Sequence, residues 1–564
     1  MDKITEAQLD EFSNENALEA LPQNARFEHY VSYVTVQNLY GETFDTGDIV
    51  LGGDEFGLDG IAVIVNGALI PDLDSFNAIA DITTSLDVAF IFIQADRSQS
   101  FDTSKIGNIV FAIRDFFADQ PKLPRTPRLK ELADIATQIY KESAKFKRSN
   151  PSCYLYYATT GQWIAESTLD ARRKAAISEL ESENIFGPVL FECIGADVLQ
   201  KLYRQAKNAV ARDFTFSNHA AAPEIPGVKE AYLGYIPVKE FLPIITSEDG
   251  EIMRGIFESN LRDFQGPNNP VNNAIKETLG SGHRARFVLM NNGVTIIARV
   301  LQRTAHKFHI EDFQIVNGCQ TSNVLFDFEG DTDDVMVPLR LISSNDDDVI
   351  QSIVTATNQQ TQLSREQLFA ATEFPKKLEQ FFQAYAPPNK IYYERRSRQY
   401  DRLSIEKVRV ITQANTIRAF AGMFLEEPHR TTRNFNALLD NIGKTIFVDG
   451  HKLDPYYVAA FTLYKLEKIF RAQKLSSDYK ATRYQILLAA RRLANPAPLP
   501  RMNSNEMEKY CKVIAEILWD AEKADALIQS AAEIVSTVAN GNLDRDNIRT
   551  VAITDAIKNY KIAA

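Results

Sequence analysis

Between Phe287 and Phe328 two apolar stretches alternate with two polar glycine turns, and this segment constrains the fold more than any other. Asn291-Asn292-Gly293 leads into the apolar Val294–Ala298. Phe313–Val316 runs into Asn317-Gly318-Cys319-Gln320-Thr321-Ser322, after which Asn323–Phe328 reads as the start of a helix. A strand that stops at glycine and turns into a helix presents backbone N–H groups and a helix N-terminus to an anion. Asn-Gly pairs also simply make turns. A nucleic-acid or phosphate-binding role for Asn292, Asn317, Gln320 and Thr321 therefore rests on the pair recurring within about 25 residues, the second time beside amide and hydroxyl groups.

A chain of 564 residues is too long for one core and implies roughly three or four domains. No apolar run approaches the length of a membrane span, and MDKITEAQLDEF lacks the apolar core of a signal peptide. Cysteines 153, 193, 319 and 511 are scattered without a C-x-x-C pair, so neither a disulfide framework nor a zinc site is expected. These features point to the cytoplasm and away from membranes. A net charge of −12 argues against a protein coated in nucleic acid but leaves room for a local basic groove.

Along the first 125 residues the pattern is α/β. Residues 1–20 and Asn24–Leu39 read as helices, followed by the glycine-rich acidic turn Gly52–Gly60 and a strand at 61–65. Asn66-Gly67 is a hairpin-type turn. Val88–Gln94 reads as a buried strand that ends in Gln94-Ala95-Asp96-Arg97, and Thr103–Phe117 as an amphipathic helix.

This order resembles the catalytic core of the PD-(D/E)XK nuclease superfamily, whose Mrr-like branch uses Gln-x-Lys in its strand motif. The resemblance implies that Asp59 is the metal-binding aspartate, Gln94 the second ligand and Glu28 a helix-borne acid. The metal would be Mg²⁺ or Mn²⁺, polarising a phosphate and activating a water. The chain departs from the pattern where the lysine belongs, at Asp96, because a carboxylate cannot supply positive charge to the transition state. Arg97 should point to the opposite strand face. Lys105 on the next helix is the residue that could reach back, and otherwise the site is inactive.

Pro121–Pro127 closes this unit. Residues 126–222 read as an α/β extension, with a helix at 128–146, strands at 153–159 and 189–195, and helices at 166–182 and 197–210. AAAPEIPG at 220–227 reads as a linker. Beyond it, helices are expected at 253–264 and 271–279. FESNLRDFQG, MNNGVTIIA, IVNGCQTSNVLF, TNQQTQ and YYERR, in that order, resemble the AIPR family, named for abortive-infection phage resistance, over about residues 228–430. Members commonly carry a nuclease-like N-terminal domain. The turn at 317–322 also resembles the Asp-Gly-Gln-His-Arg loop of DndB-like and ParB-type proteins, with Thr321-Ser322 in place of His-Arg.

Ile391–Arg402 concentrates arginines and tyrosines, including Arg395, Arg396 and Arg398, as a phosphate-gripping and base-stacking element would. The alternative is an ion-pair network with Glu394, Asp401 and Glu406. The acidic runs Asp331–Asp334 and Asn345–Asp348 lack the spaced ligands of a metal loop and read as surface turns. From Val410 onward the chain reads as nearly all helical, with a C-terminal region at 431–564.

The sequence thus predicts an α/β protein: a restriction-endonuclease-like N-terminal domain, a central α/β core and a helical C-terminal region. It points to a bacterial anti-phage protein with a metal-dependent endonuclease, acting on nucleic acid with DNA favoured over RNA, and it allows a homodimer. The competing classes are a non-catalytic nucleic-acid-binding regulator, for which Asp96 is the argument, and a nucleotide-sensing protein working through the 317–322 turn.

Overall fold

The computed structural model describes residues 1–40, 43–52, 56–81, 83, 85–146, 150–207, 210–246, 250, 252–253, 256–257, 270–357, 373–395, 399–400, 405–431 and 435–561. Helices α1 (Lys3–Glu15) and α2 (Gln23–Leu39) precede a sheet of β1 (Gly60–Val65), β2 (Ala68–Leu69), β3 (Val88–Asp96), β4 (Ser152–Thr159) and β5 (Val189–Ile194). The strand order is β2-β1-β3-β4-β5. β1 is antiparallel to both its neighbours, whereas β3, β4 and β5 run parallel. Asn66 and Gly67 both take positive φ (51° and 74°), the two-residue hairpin geometry that the sequence implies.

Of the parallel strands, β3 and β4 are largely buried on both faces and read as apolar runs, whereas the edge strand β5 exposes Leu190 and Glu192. Ile61, Val63, Phe90 and Phe92 pack towards α4 (Thr103–Phe116) and α5 (Pro127–Lys141), where they meet Ile106, Val110, Ile113 and Leu132. Ala62, Ile64, Ile91 and Ile93 face the other way, onto Phe27, Val31 and Val34 of α2 and Leu199 and Tyr203 of α7 (Ala196–Lys207). Truncating one of the large side chains to alanine costs about 2–5 kcal/mol. The result is three layers, with β1 and β3 central and their chain ends adjacent at Gly60 and Ile93.

The second sheet has the order β6-β10-β9-β11-β8-β7, built from β6 (Ala211–Thr215), β7 (Asn218–Ala221), β8 (Glu230–Pro237), β9 (Val294–Thr304), β10 (Lys307–Asn317) and β11 (Met336–Ser343). One face packs on α8 (Val238–Ile245), α9 (Pro270–Gly280) and α11 (Cys319–Phe326), and α12 (Asp347–Thr357) covers part of the other. β7 enters the stretch read as a linker at 220–227, so the change of sheet falls between Ile194 and Ala211, earlier than the composition suggests. An edge strand tolerates the proline that follows it, and that is why its sequence looks like a linker. Phe287–Met290 is a short helix, α10. Of the helix expected at 253–264, Met253 is not helical, Phe257 makes an isolated bridge to Ile315, and residues 258–264 lie outside the described residues.

Val410–Thr412 is not helical as expected. It forms β13, which pairs in parallel with β12 (Tyr392–Glu394). The helices that follow, chiefly Gln413–Met423, Asp454–Arg471, Arg483–Ala494, Asn505–Trp519 and Ala521–Val538, share a large core around Tyr456, Phe461 and Leu487. The single helix expected at 545–560 is two, because the Thr550 hydroxyl accepts from the Ile553 N–H and starts a new one.

Candidate active site

Asp59 lies one residue before β1, and backbone bonds fix it on two sides. Its N–H donates to the Ile93 carbonyl (2.8 Å), and its carbonyl accepts from the Leu51 N–H (2.9 Å). Its carboxylate accepts from the Ala95 N–H at 2.6 Å and from Gln94 Nε2 at 2.5 Å. The aspartate and the glutamine, 35 residues apart in sequence, therefore meet at the open ends of two adjacent strands. The loop before Asp59 is seated by Gly57, whose φ is +77°; a Cβ there would lie 2.7 Å from the Asn108 carbonyl of α4. Only glycine allows so close an approach.

Gln94 and Asp96 have the same strand parity as Phe90 and Phe92, and so face α4. Lys105, in the first turn of that helix, reaches back to place Nζ 2.6 Å from Asp96 Oδ2. Asp102 caps α4 by accepting from the Ser104 N–H (2.8 Å), which orients the turn carrying Lys105. Ser98, which the sequence did not single out, donates to Asp96 through both its N–H (3.0 Å) and its hydroxyl (2.7 Å). Arg97 points away as expected, donating to Gln23 of α2 at 2.7 Å.

The electrostatics divide these acids. Burial raises Asp59 to about 6, against the opposing pull of the Ala95 N–H and the Lys105 charge. Burial and the charge of Asp59 together raise Glu28 on α2 to about 7. Burial also works against ionisation of Asp96, but its bonds to Lys105 and Ser98 outweigh this and hold it below the ordinary carboxylate range. Two carboxyls that resist ionisation thus sit beside one that is ionised and paired.

Two carboxyls and an amide oxygen are the hard donors that a magnesium-type cation takes, and a cation would offset the desolvation that raises Glu28 and Asp59. No cluster of three or more His, Cys, Asp or Glu side chains poised for a metal occurs among the described residues. The donor set thus depends on Gln94 and on the waters that such an ion keeps.

The central turns also meet. Thr321 Oγ1 donates to Asn291 Oδ1 (3.1 Å), which in addition accepts from the Gly293 N–H (2.8 Å). Gly318 caps α11 with φ +101°, and a Cβ there would lie 2.9 Å from the Gly293 carbonyl. Asn317 donates to the Thr357 carbonyl at 2.8 Å, Asn292 is exposed, and Gln320 is half-buried. Thr321 therefore spends its hydroxyl on holding the turns together, and Asn317 its amide on fixing the second turn to the end of α12.

Arg395 turns inward. Its side chain is 7% exposed and lies between Glu379 and Asp348, both at 3.0 Å. Burial opposes its charge, and the two carboxylates outweigh burial and raise it. In this arrangement the guanidinium is an internal cation held by the protein's own carboxylates. These two carboxylates lie outside the set Glu394, Asp401 and Glu406 that the sequence offered, and Asp401 lies outside the described residues. Arg396, Arg398 and residues 358–362 lie outside the described residues. Of the acidic runs, Asp331 and Asp334 hold Arg284, with Asp331 at 2.5 Å, and Asp348 anchors Arg395. A separate cavity of about 330 Å³ in the helical region, lined by Tyr385, Asp454, Glu508, Lys512 and Trp519, contains none of the expected residues. No helix among the described residues is long and apolar enough to cross a membrane.

The chain is thus an α/β protein whose central sheet carries paired glycine turns, joined to a large helical region. The AIPR protein family model matches residues 257–544, so the chain belongs to the AIPR family. The match includes the 291–293 and 317–322 turns and most of the helical region, but not the first sheet. No curated protein and no solved structure matches.

Proposed function

We propose that this AIPR protein acts in abortive-infection defence against phage, and that its N-terminal domain is a metal-dependent endonuclease. The observation that carries the nuclease reading is the meeting of Asp59 and Gln94 at 2.5 Å, with Lys105 delivered to the strand end from α4 at 2.6 Å from Asp96. Asp59, Gln94 and Glu28 would hold Mg²⁺ or Mn²⁺. Such an ion, when bound, supplies Lewis-acid polarisation of a phosphate oxygen and a more acidic water. Lys105 supplies the cation that position 96 lacks, stabilising charge that builds on the phosphate. Asp96 orients Lys105 and tempers it. Without an ion, burial and the Asp59 charge raise Glu28 to about 7, and a bound cation would favour its ionised, ligating form. The net charge of −12 favours gating over constitutive attack on nucleic acid, and DNA is the substrate class we expect.

The Asp96–Lys105 pair also favours a second reading, in which the ammonium is neutralised and the domain is a non-catalytic nucleic-acid-binding scaffold. Cleavage of plasmid DNA and of RNA with Mg²⁺ separates the two, comparing the natural chain with Asp59→Ala, Asp96→Ala and Asp96→Lys. Cleavage lost in Asp59→Ala supports the nuclease. Cleavage appearing only when Asp96 is changed supports a disabled site, and none in any version sinks the enzyme reading.

A further inference from the structure

The segment 45–51 connects the candidate site to the helical region. Ile49–Leu51 lies alongside Asp59–Ile61: the Leu51 N–H donates to the Asp59 carbonyl (2.9 Å), the Ile61 N–H to the Ile49 carbonyl (3.0 Å), and Val50 bridges Gly60. Thr46, nearly fully buried, is 2.7 Å from His29 Nδ1 on α2, the residue after Glu28. One short strap therefore touches both elements that carry the raised carboxyls.

The strap is gripped from the other half of the chain. Arg471, at the end of the helix Asp454–Arg471, meets Asp45 at 2.6 Å and also donates to the Asn16 carbonyl at the end of α1. Lys480 donates to the Gly47 carbonyl (3.3 Å). Asp45 in turn accepts from the Gly47 N–H (2.8 Å), which closes the turn. From within the N-terminal domain, Arg128 donates to the Asp48 carbonyl. Further along the same seam Arg545 pairs with Asp72 and Glu131, and Arg549 with Asp74. Those contacts fasten α3 (Leu73–Ala80) and α5; Arg545 reaches the strap at one remove, because Glu131 also holds Arg128 (3.0 Å), whereas Arg549 grips α3.

We infer that Arg471 and Lys480 are positioning residues for Asp59 and Glu28, so that the family-defining half of the chain sets the geometry of the candidate metal site through the 45–51 strap. The inference deepens the nuclease reading and rests on it for the word "metal". Both residues fall within the matched stretch 257–544, whereas Asp45, Asp59 and Glu28 fall outside it. A shift of the helix end would be carried by a short chain of backbone hydrogen bonds to the Asp59 peptide. That is coupling by a physically continuous element and not by distance alone. The arrangement gives the helical region a way to loosen or tighten the site without touching substrate.

The test is amide hydrogen exchange of the full chain, comparing the natural protein with Arg471→Ala, Arg471→Lys, Lys480→Ala and, as a seam control, Arg549→Ala. Arg471→Ala is expected to speed exchange at the Leu51, Asp59 and Ile61 amides at least about tenfold while the β4 and β5 amides hold. Arg471→Lys should fall between the two, and Arg549→Ala should leave the strap amides unchanged. Unchanged strap amides in Arg471→Ala and Lys480→Ala would overturn the inference. Equal acceleration in Arg549→Ala would do the same, because the seam would then be general glue. Mn²⁺ binding followed in parallel should weaken severalfold in Arg471→Ala. If the natural protein binds no Mn²⁺, the metal reading falls, while exchange still decides the strap.

Discussion

Asp59→Asn separates a site built to hold a cation from an ordinary buried hydrogen-bond acceptor. Burial lifts the Asp59 carboxyl from 3.8 to about 6, and at 1.4 kcal/mol per tenfold this sets a ceiling of roughly 3 kcal/mol on the cost of ionising it in the metal-free fold. Water access and the bonds lost on substitution trim the observable gain to about 1–2 kcal/mol. The sign follows from the raised value. The group favours the fold below its unfolded pKa, and that contribution is lost as pH rises through about 6. Asparagine keeps an oxygen for the Ala95 N–H and carries no charge. In urea unfolding with chelator, Asp59→Asn should match the natural chain near pH 4 and exceed it by about 1–2 kcal/mol at pH 8. Millimolar Mg²⁺ should then stabilise the natural chain and leave the variant unmoved. A variant equally destabilised at pH 4 and pH 8, and still responsive to Mg²⁺, would refute the reasoning.

Lys105→Ala should reduce any Mg²⁺-dependent cleavage by about 10²-fold or more while changing stability by less than about 1 kcal/mol, since its pair with Asp96 is partly solvated; single-turnover rates and thermal melts read the two separately. Gly318→Ala should cost about 2–4 kcal/mol, because a Cβ meets both Val294 and the Gly293 carbonyl at a φ of +101°, and chemical denaturation measures it. Arg395→Ala should cost about 2–4 kcal/mol by leaving Glu379 without its cation. If it instead left stability unchanged and lowered nucleic-acid affinity, the phosphate-contact assignment would be restored.

The N-terminal layers were legible because their signals are local. Val88–Asp96 is an unbroken apolar strand with a polar end, Thr103–Phe116 has one apolar face, and Asn66-Gly67 can hardly be anything but a hairpin turn. The reach of Lys105 to Asp96 was legible too, since both lie within nine residues and strand parity fixes the side. The sheet boundary was not, because Pro223 and Pro226 look alike in a linker and after an edge strand. The helical reading of Val410–Thr412 failed for a similar reason. Three β-branched residues take strand geometry once Tyr392–Glu394 offers a partner.

Arginine is harder to read from spacing. A guanidinium beside tyrosines in an acidic chain reads as a phosphate clamp, but the same fork fits a carboxylate equally well. The partners of Arg395 lie 16 and 47 residues away, and the partner of Arg471 lies 426 away. No spacing rule reaches that far. In this chain Arg395, Arg471, Arg545 and Arg549 all meet the protein's own carboxylates. Three of these, Arg471, Arg545 and Arg549, fasten one half of the molecule to the other. Under the proposed nuclease reading, Lys105 at the strand end is a cation placed to meet a phosphate, 39% exposed and 2.6 Å from Asp96.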